Sequence, residues 1–562
     1  MIEYSENDFK IDELGSFYSK EKTIFKVFSP SSKEIKLILN DKEYQMNKVG
    51  YSFETEVKGD HHLEKYYYLN DKEVPFKDPF SYYSDRNYSY ILDTSRFIKE
   101  KITPKKEDNV IIYETSVRDF SCDDSFTGNN KRKLLALVES GLKYNGLSIG
   151  LDYLKELGIT YLQLMPILDF DLDKTDYNWG YNPLAFNYLY SGYIVDDKNP
   201  YAFINEFRKV VNELHKNNLR ITLDVVFNHV FKIHEYDLHK MIPGHIFRKK
   251  DNGTYAKGTL CGNEVKTEDP FVRAYFIEMV KRYIKLFDID GIRIDQMGTG
   301  DYETVDQIYI EANKIKNNFL VYGEGWNMGD ALDEDKRAAI INAHKIRNIG
   351  MFNDYFRDNI INHFTGFNDY SETIKSILSG DNNNMIHSQM LNYVECHDNY
   401  TFFDRMYKYY PNDLENNIKR CKLALGLVVL SRGIPFIHSG QEFLRTKNMI
   451  NNSYNKPESV NRLDWKRRVE YKEICDYLKD LIEIRKNNSA FIEEKPQISF
   501  SDYNECIVYY LNDLVIVING DDKERFYNND KEFEVLLDSF GKKHYFNDTI
   551  SLPPYSLVVL KK

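Results

Sequence analysis

Two charged residues with the spacing of a reactive pair lie inside the apolar segment Asp290–Asp295. Isoleucines alternate with Arg293 and Asp295 there, which predicts a short buried strand with both charged side chains on one face. An adjacent guanidinium lowers the pKa of a carboxyl group, so Arg293 would keep Asp295 ionised, as a carboxylate nucleophile requires. A structural ion pair is the alternative interpretation.

Further polar residues follow other apolar segments that are predicted to be strands. In a parallel barrel such positions converge, because the carboxyl ends of the strands form one mouth. Converging carboxylates in a site lined by aromatic rings indicate glycoside hydrolysis, in which an acid and a base or nucleophile flank the scissile bond. The residues are Asp224 with Asn228 and His229 on the third strand, Glu324 on the fifth, and His397 with Asp398 at the end of the seventh.

The elements that would position these side chains are strands alternating with amphipathic helices. Eight apolar strands with intervening helices predict an α/β fold, a (β/α)8 TIM barrel. The connection after the third strand, about 228–270, is unusually long, and connections of that length are usually functional. The predicted strands are Val110–Val117, Thr160–Met165, Arg220–Phe227, Ile289–Ile294, Phe319–Gly323, Ile349–Asn353, Leu391–Cys396 and Ile434–His438.

Short alternating segments flank the barrel on both sides. Ile24–Phe28, Ile35–Leu39 and Tyr51–Val57 predict an N-terminal β-sandwich. Cys506–Leu511 and Leu514–Asn519 surround the turn dipeptide Asn-Asp and predict a hairpin in a C-terminal β-sandwich, with further strands at Phe533–Leu537 and Leu557–Leu560. We therefore divide the chain into an N-terminal β-sandwich at 1–105, a catalytic barrel at 106–488 and a C-terminal β-sandwich at 489–562.

Composition restricts the class of ligand and the compartment. The formal net charge of −12 argues against nucleic-acid and anionic-membrane partners and suits a neutral ligand. The 44 tyrosines suit sugar rings, which stack on aromatic faces, although biased codon usage would also enrich tyrosine. The N-terminus has no signal-peptide pattern, and the six cysteines show neither a CxxC pair nor metal-ligand spacing. These features predict a cytoplasmic protein with free thiols.

Four segments together resemble the signature regions of the α-amylase family, glycoside hydrolase family 13. They are Asp224–His229, Gly291–Asp295, Gly323–Glu324 and Val394–Asp398.

Four further segments narrow the resemblance to the type I pullulanases. The N-terminal region also resembles a family 48 carbohydrate-binding module. The segments are Tyr177–Pro183, which is similar to the seven-residue signature of that group, and Arg293–Gly298, Tyr322–Trp326 and Asn452–Pro457.

The resemblance implies a role for each matching residue. Asp295 would be the nucleophile that forms a glycosyl-enzyme intermediate, Glu324 the acid and later the base, and Asp398 a clamp on sugar hydroxyls. Because Arg293 would pair with Asp295, we expect Glu324 to stay protonated for want of a cation. Substrate-binding side chains are expected at Tyr181, Trp179, Asp224, His229, Arg293, Trp326, His397 and Asn399.

The chain departs from the family pattern at three positions. Asn182 stands where Asp is usual, Gln296 where Leu is usual, and Phe227 where Tyr is common. None is a catalytic acid, but Asn182 removes any ionic contact made there. Many α-amylase relatives use the position of Asn228 for calcium; the sequence shows no clustered oxygen-ligand motif, so we expect no metal and no cofactor.

The resemblance implies a retaining debranching enzyme that cleaves α-1,6-glucosidic linkages in pullulan, glycogen or limit dextrins, with an α-glucan as its partner. An α-1,4-acting amylase or transglycosylase with the same three acids is the first alternative. A non-catalytic glycan-binding protein is the second, and the intact set Asp295, Glu324, Asp398 and Arg293 argues against it. The sequence does not indicate an oligomeric state.

Overall fold

The computed structural model describes residues 2–366, 370–380, 384–528, 533–541, 545–546 and 548–562. Its central feature within these residues is a closed barrel of eight parallel strands, so the predicted (β/α)8 barrel is confirmed. Each strand is short, and apart from the partly buried first residues Arg220 and Leu320 all strand residues are buried, as expected for apolar runs covered by helices. Barrel strands 1 to 8 are Ile112–Thr115, Tyr161–Leu164, Arg220–Val225, Gly291–Ile294, Leu320–Gly323, Gly350–Phe352, Met390–Asn392 and Ile434–His438.

Helices cover the outside of the barrel because their apolar faces pack against it. Pro270–Phe287, for example, begins with Asp269 accepting a hydrogen bond from the Phe271 amide and ends at Asp288 in the left-handed conformation. The other helices of eight or more residues are Gly150–Leu157, Ala202–Lys216, Tyr302–Ile315, Asp354–Phe364, Tyr370–Ser379, Phe402–Tyr409, Leu414–Leu430 and Lys472–Lys486; shorter ones are Val117–Ser121, Asp237–Met241, Glu458–Asn461 and Trp465–Glu470.

The predicted N-terminal sandwich is present. Phe25 of one sheet packs edge-on against Tyr66 of the other, with 5.1 Å between ring centroids. The first sheet contains Gly15–Tyr18, Lys22–Phe28, Ser52–Lys58 and Asn47–Val49, and the second contains Lys42–Gln45, Ile35–Leu39, Lys65–Asn70, Pro75–Phe76 and Ser89–Tyr90.

The C-terminal strands also form two packed sheets, and the predicted hairpin pairs Leu511 with Leu514. Valines of the larger sheet share a core with Tyr527 and Ile550 of the smaller one. The larger sheet contains Ile498–Tyr503, Cys506–Leu511, Leu514–Asn519, Ser556–Lys561 and Glu534–Asp538, and the smaller contains Arg525–Asn528, Thr549–Leu552 and Tyr545–Phe546.

Barrel strand 7 differs from the prediction. It ends at Asn392, not at Cys396, so His397 and Asp398 lie in the following loop. The side chain of Asn392, the last residue of the strand, donates hydrogen bonds to Ser431 Oγ and the Arg432 carbonyl beside strand 8. The division at 105/106 and 488/489 stays a prediction; both boundaries fall between named strands and helices. In the described part of the chain, we find no helix with the length and apolarity that a membrane span requires.

Candidate active site

Arg293 lies at the centre of the candidate site and contacts three carboxylates. Its Nη1 donates to Asp295 Oδ1 at 2.8 Å and to Asp224 Oδ1 at 2.9 Å, and its Nη2 donates to Glu324 Oε1. Parallel pairing places Asp224 directly beside Arg293 on neighbouring strands. Arg293 and Asp224 are both buried, and Arg293 holds the side chains of Asp295 and Glu324. Contacts of Arg293 and Asp224 to sugar stay predictions.

Glu324 follows barrel strand 5 and is held at both oxygens. Arg293 contacts Oε1, and the backbone amide of Gln296 donates to Oε2 at 2.9 Å. The expectation that Glu324 has no cation beside it is therefore wrong. Burial nevertheless raises the pKa of this carboxyl well above its usual range; Arg293 opposes the rise, while the charges of Asp295 and Asp398 add to it. A carboxyl group of this kind is suited to donate a proton.

Asp295 follows barrel strand 4, and both of its oxygens accept hydrogen bonds. Arg293 Nη1 donates to Oδ1, and Asn228 Nδ2 donates to Oδ2 at 2.9 Å. The same guanidinium therefore brings the carboxyl groups of Asp295 and Glu324 together as neighbours.

Asp398 lies at the edge of this cluster, with 37% of its side chain exposed. His397 joins it to the barrel: Nε2 lies 3.4 Å from Asp398 Oδ1, and Nδ1 lies 2.8 Å from Glu114 Oε1. Burial opposes charging of the imidazole, but the carboxylates of Asp398 and Glu114 prevail and raise the pKa of His397 to about 9. His397 is therefore a cation at neutral pH.

The tyrosine and the tryptophan of the Tyr177–Pro183 segment differ in role. Tyr181 donates to Asp224 Oδ2 at 2.6 Å, and its ring stacks on His397 with centroids 5.0 Å apart. Trp179 is only 3% exposed, lies edge-on to the same imidazole at 4.9 Å, and donates to Asn461 Oδ1. The buried ring of Trp179 therefore supports His397, and its stacking on glucose stays a prediction.

Three other predicted binding residues lie around the same mouth. His229 is buried, which lowers its pKa, and its ring nitrogens contact Asn228 Oδ1 and the Tyr181 carbonyl. Asn399 accepts a hydrogen bond from the Cys396 amide and shapes the loop that carries Asp398. Their contacts to sugar stay predictions.

Trp326, the third of these residues, is half-buried and lies two residues after Glu324. Its backbone passes so close to Gly298 that a Cβ there would lie 1.8 Å from the Trp326 carbonyl oxygen. The glycine is therefore required for this approach. Stacking of Trp326 on glucose stays a prediction.

Asn182, the departure from the family pattern, lies outside this cluster of acids. Its Nδ2 donates to the Asp171 carbonyl at 3.3 Å, so the neutral side chain serves a turn.

A loop after barrel strand 8 fixes the loop that carries Asp398. Asn452 donates its amide hydrogen to the Asp398 carbonyl at 3.2 Å. Lys447 Nζ donates to the His397 carbonyl at 2.6 Å, and the Trp179 amide donates to the Tyr454 carbonyl. The signature segment Asn452–Pro457 thus positions the third acid through backbone contacts.

Two residues of the site, Glu114 and Lys447, were not predicted from the sequence. Glu114 lies one residue before the end of barrel strand 1 and binds both the ring and the backbone amide of His397. Lys447 is buried beneath the same loop. An acid within the apolar first predicted strand was a usable signal for Glu114, whereas nothing in the sequence marks Lys447.

Metal-ligand chemistry occurs at one place among the described residues, where ligand atoms of Cys396, His397 and Asp398 lie within 4.8 Å of one another. Burial raises the pKa of the Cys396 thiol well above its usual range, so the thiol stays protonated. His397 already contacts Glu114 and Asp398 through its two ring nitrogens. These residues therefore do not fit a metal.

A barrel of this kind, with acids after strands 4, 5 and 7, is the architecture of an α-amylase-type glycoside hydrolase. The family described as "Alpha amylase, catalytic domain" matches residues 123–251. The Bacillus subtilis (strain 168) protein named "Pullulanase" is 33% identical, and the match covers 94% of this chain and 81% of that protein. The pullulanase of Anoxybacillus sp. LM18-11 in complex with maltotetraose superposes with a TM-score of 0.94 at 31% identity, over 99% of this chain and 89% of that one.

The pullulanase of Paenibacillus barengoltzii in complex with maltohexaose and α-cyclodextrin gives a TM-score of 0.91, again at 31% identity, over 99% of this chain and 96% of that one. The chain belongs to the pullulanase family of glycoside hydrolases. It is a debranching enzyme for α-1,6 linkages.

Proposed function

We propose that the enzyme cleaves α-1,6-glucosidic linkages with retention, using Asp295 as nucleophile, Glu324 as acid and base, and Asp398 as a clamp on sugar hydroxyls. The observation that carries this proposal is the sharing of Arg293 by Asp295 and Glu324. Retaining enzymes need their two carboxyl groups only about 5–5.5 Å apart, because no water has to fit between nucleophile and sugar.

In the first step, an Asp295 oxygen attacks C1 of the glucose unit and the bond from C1 to O6 of the neighbouring unit breaks. The proton of Glu324 moves to O6, so the departing chain leaves as an alcohol. Asp295 loses its charge in this step and Glu324 gains one. Arg293 already contacts Glu324, so it stabilises the new carboxylate. The guanidinium thus stabilises a negative charge on either acid.

In the second step, Glu324 removes a proton from water, whose oxygen attacks C1 and releases Asp295. Two displacements at one carbon give a product with the original α configuration. Asp398 and the imidazolium of His397 would hold hydroxyl groups of the same glucose unit, which supports the distorted transition state.

The substrate class is an α-glucan with α-1,6 branches, such as pullulan, glycogen or a limit dextrin. Related pullulanases of known structure are complexed with maltotriose, maltotetraose or maltohexaose. The alternative with α-1,4 cleavage would use the same acids. The family-level similarity favours the debranching activity, because it extends over the loops around the acids as well as the acids themselves.

The enzyme would work in the cytoplasm and without a metal or cofactor. All six cysteines lie in the described part of the chain and are free thiols, which suits a reducing compartment. The Asn228 amide, at a position that relatives use for calcium, is engaged by Asp295 and His229. Unchanged turnover after dialysis against a chelator is the expected result.

Digestion of pullulan tests the linkage. We expect maltotriose as the product and almost no shortening of linear amylose, because the open rim of the site must direct an α-1,6 oxygen towards Glu324. Panose or isopanose from pullulan, or rapid loss of iodine staining by amylose, would mean α-1,4 cleavage instead.

A further inference from the structure

The long connection after barrel strand 3 carries a rigid loop beside the acids, residues 257–264, here called the 257–264 loop. Asn263 anchors it with a reciprocal pair of hydrogen bonds to the backbone of Val230, the residue after His229. Thr259 Oγ1 donates to the Asn263 carbonyl at 2.5 Å and closes the loop on itself. The loop is thereby fixed to the segment that orients Asp295.

A second set of anchors joins the loop to the segments after barrel strands 4 and 5. Arg248 Nη1 binds Glu264 at 2.6 Å and the Thr299 carbonyl at 2.7 Å. The other Glu264 oxygen accepts the amide hydrogens of Gly258 and Asp330. A Cβ at Gly258 would lie 2.4 Å from Gly329 Cα, so the two segments are in direct backbone contact.

The tip of the 257–264 loop is apolar and exposed despite these anchors. Leu260 is 85% exposed and has a φ of +63°, a conformation that is costly for a leucine. Cys261 beside it is also exposed. The side chain of Asn263, two residues after Cys261, binds the backbone of Val230, which follows His229, so the tip lies on the same side of the barrel as the catalytic acids.

We propose that Leu260 is a specificity-determining residue whose side chain contacts the apolar face of the glucose unit lying beside Asp295. The hydrogen bonds of the loop, together with a strained backbone conformation, hold one exposed leucine at the mouth that carries the catalytic acids. Strain of this kind persists only where surrounding contacts enforce it, and it clusters at ligand sites. A sugar ring presents C–H groups that bury such a side chain. This inference rests on the proposed function.

Kinetics of Leu260→Gly and Leu260→Asn on pullulan test the contact. Both replacements tolerate a positive φ, so both proteins should fold at least as stably as the parent. Loss of the apolar contact should raise KM about tenfold, with kcat within about twofold of the parent value. The matched control is Leu63→Asn in the N-terminal sandwich, another exposed leucine at positive φ, with 42% exposure and a φ of +65°. Its kinetics should not change.

Alkylation of Cys261 gives a second readout that does not need turnover. Cys261 is the exposed cysteine of the six, so iodoacetamide labelling followed by mass spectrometry reports on the tip, with the buried cysteines as internal references. Maltotriose at saturating concentration should slow this labelling. An unchanged KM in the active Leu260→Gly enzyme, or labelling that maltotriose does not slow, would overturn the inference. A parent enzyme that fails to cut pullulan would instead contradict the proposed function.

Discussion

Replacement of Asp224 by Asn should make the enzyme more stable and less active at neutral pH. Asp224 is fully buried, and burial raises its pKa from 3.8 to about 7; Arg293 and Tyr181 oppose the rise, and Asp295 adds to it. Between these two values the folded protein binds a proton that the unfolded chain has lost. Stability therefore falls as pH rises through this window, by about 4 kcal/mol in total.

The amide introduced by Asp224→Asn cannot ionise. Its single oxygen can take the place of Oδ1 and accept from Arg293, and its NH2 group, in the place of Oδ2, can donate to the hydroxyl oxygen of Tyr181. The difference in unfolding free energy between variant and parent should therefore grow by up to about 4 kcal/mol from pH 4 to pH 7.5. For 562 residues the entropy of unfolding is about 1.2 kcal/mol per kelvin, which makes the corresponding gain in Tm about 3 °C.

Activity should change in the opposite direction. In the variant Arg293 would contact two carboxylates instead of three, so its charge would act more strongly on Glu324 and lower the pKa of that acid. The alkaline limb of kcat/KM on pullulan should therefore move to lower pH.

Thermal unfolding monitored by tryptophan fluorescence at pH 4.5, 6 and 7.5, together with a pH profile of kcat/KM, measures both effects. The control is Asp78→Asn in the N-terminal sandwich, because burial raises the pKa of Asp78 to about 6. It should show a similar but smaller pH-dependent stabilisation and an unchanged pH profile of activity. A stability difference for Asp224→Asn that stays flat across this pH range would refute the reasoning.

Four further outcomes are expected. Asp295→Asn should lower kcat by at least about four orders of magnitude, because no covalent intermediate forms, and more than a few per cent residual activity would exclude it as the nucleophile. Glu324→Gln should lower kcat on pullulan as severely, but less on substrates whose leaving group needs no proton. Proton NMR of a fresh digest by the parent enzyme should show the α-anomer first. Glu114→Gln should lower the free energy of unfolding mainly below pH 6.5. The raised pKa of His397 contributes stability that is fully present below that pH and is lost as pH rises through about 9. Equal losses of stability at pH 6 and pH 9.5 would contradict the pairing of Glu114 with His397.

The barrel could be predicted because each strand is a short apolar run and because side chains alternate with a period of two. That period also placed Arg293 beside Asp295, as the structure confirms. The sharing of Arg293 with Glu324 could not be predicted, since it depends on the register between barrel strands 4 and 5. The pKa of Glu324 is raised through burial, a quantity that residue types alone do not give.

Other errors have similar physical origins. The apolar pattern of barrel strand 7 continues to Cys396, but the strand ends at Asn392, and the side chain of Asn392 binds a segment some 40 residues later. The contact of Trp179 with His397 is likewise a tertiary property that residue identity alone does not give. Glu114 and His397 are 283 residues apart, so no local pattern joins them.

The contact between Glu114 and His397 also bears on when activity can arise during synthesis. Glu114 belongs to the first barrel strand, which pairs with the last, Ile434–His438, and the loop after that strand holds Asp398 through Asn452. A growing chain that has already emerged past Asp398 possesses all three catalytic acids, yet it lacks both the strand that closes the ring and the loop that fixes the third acid. The nascent protein therefore stays inactive towards glucan until the barrel closes, late in translation.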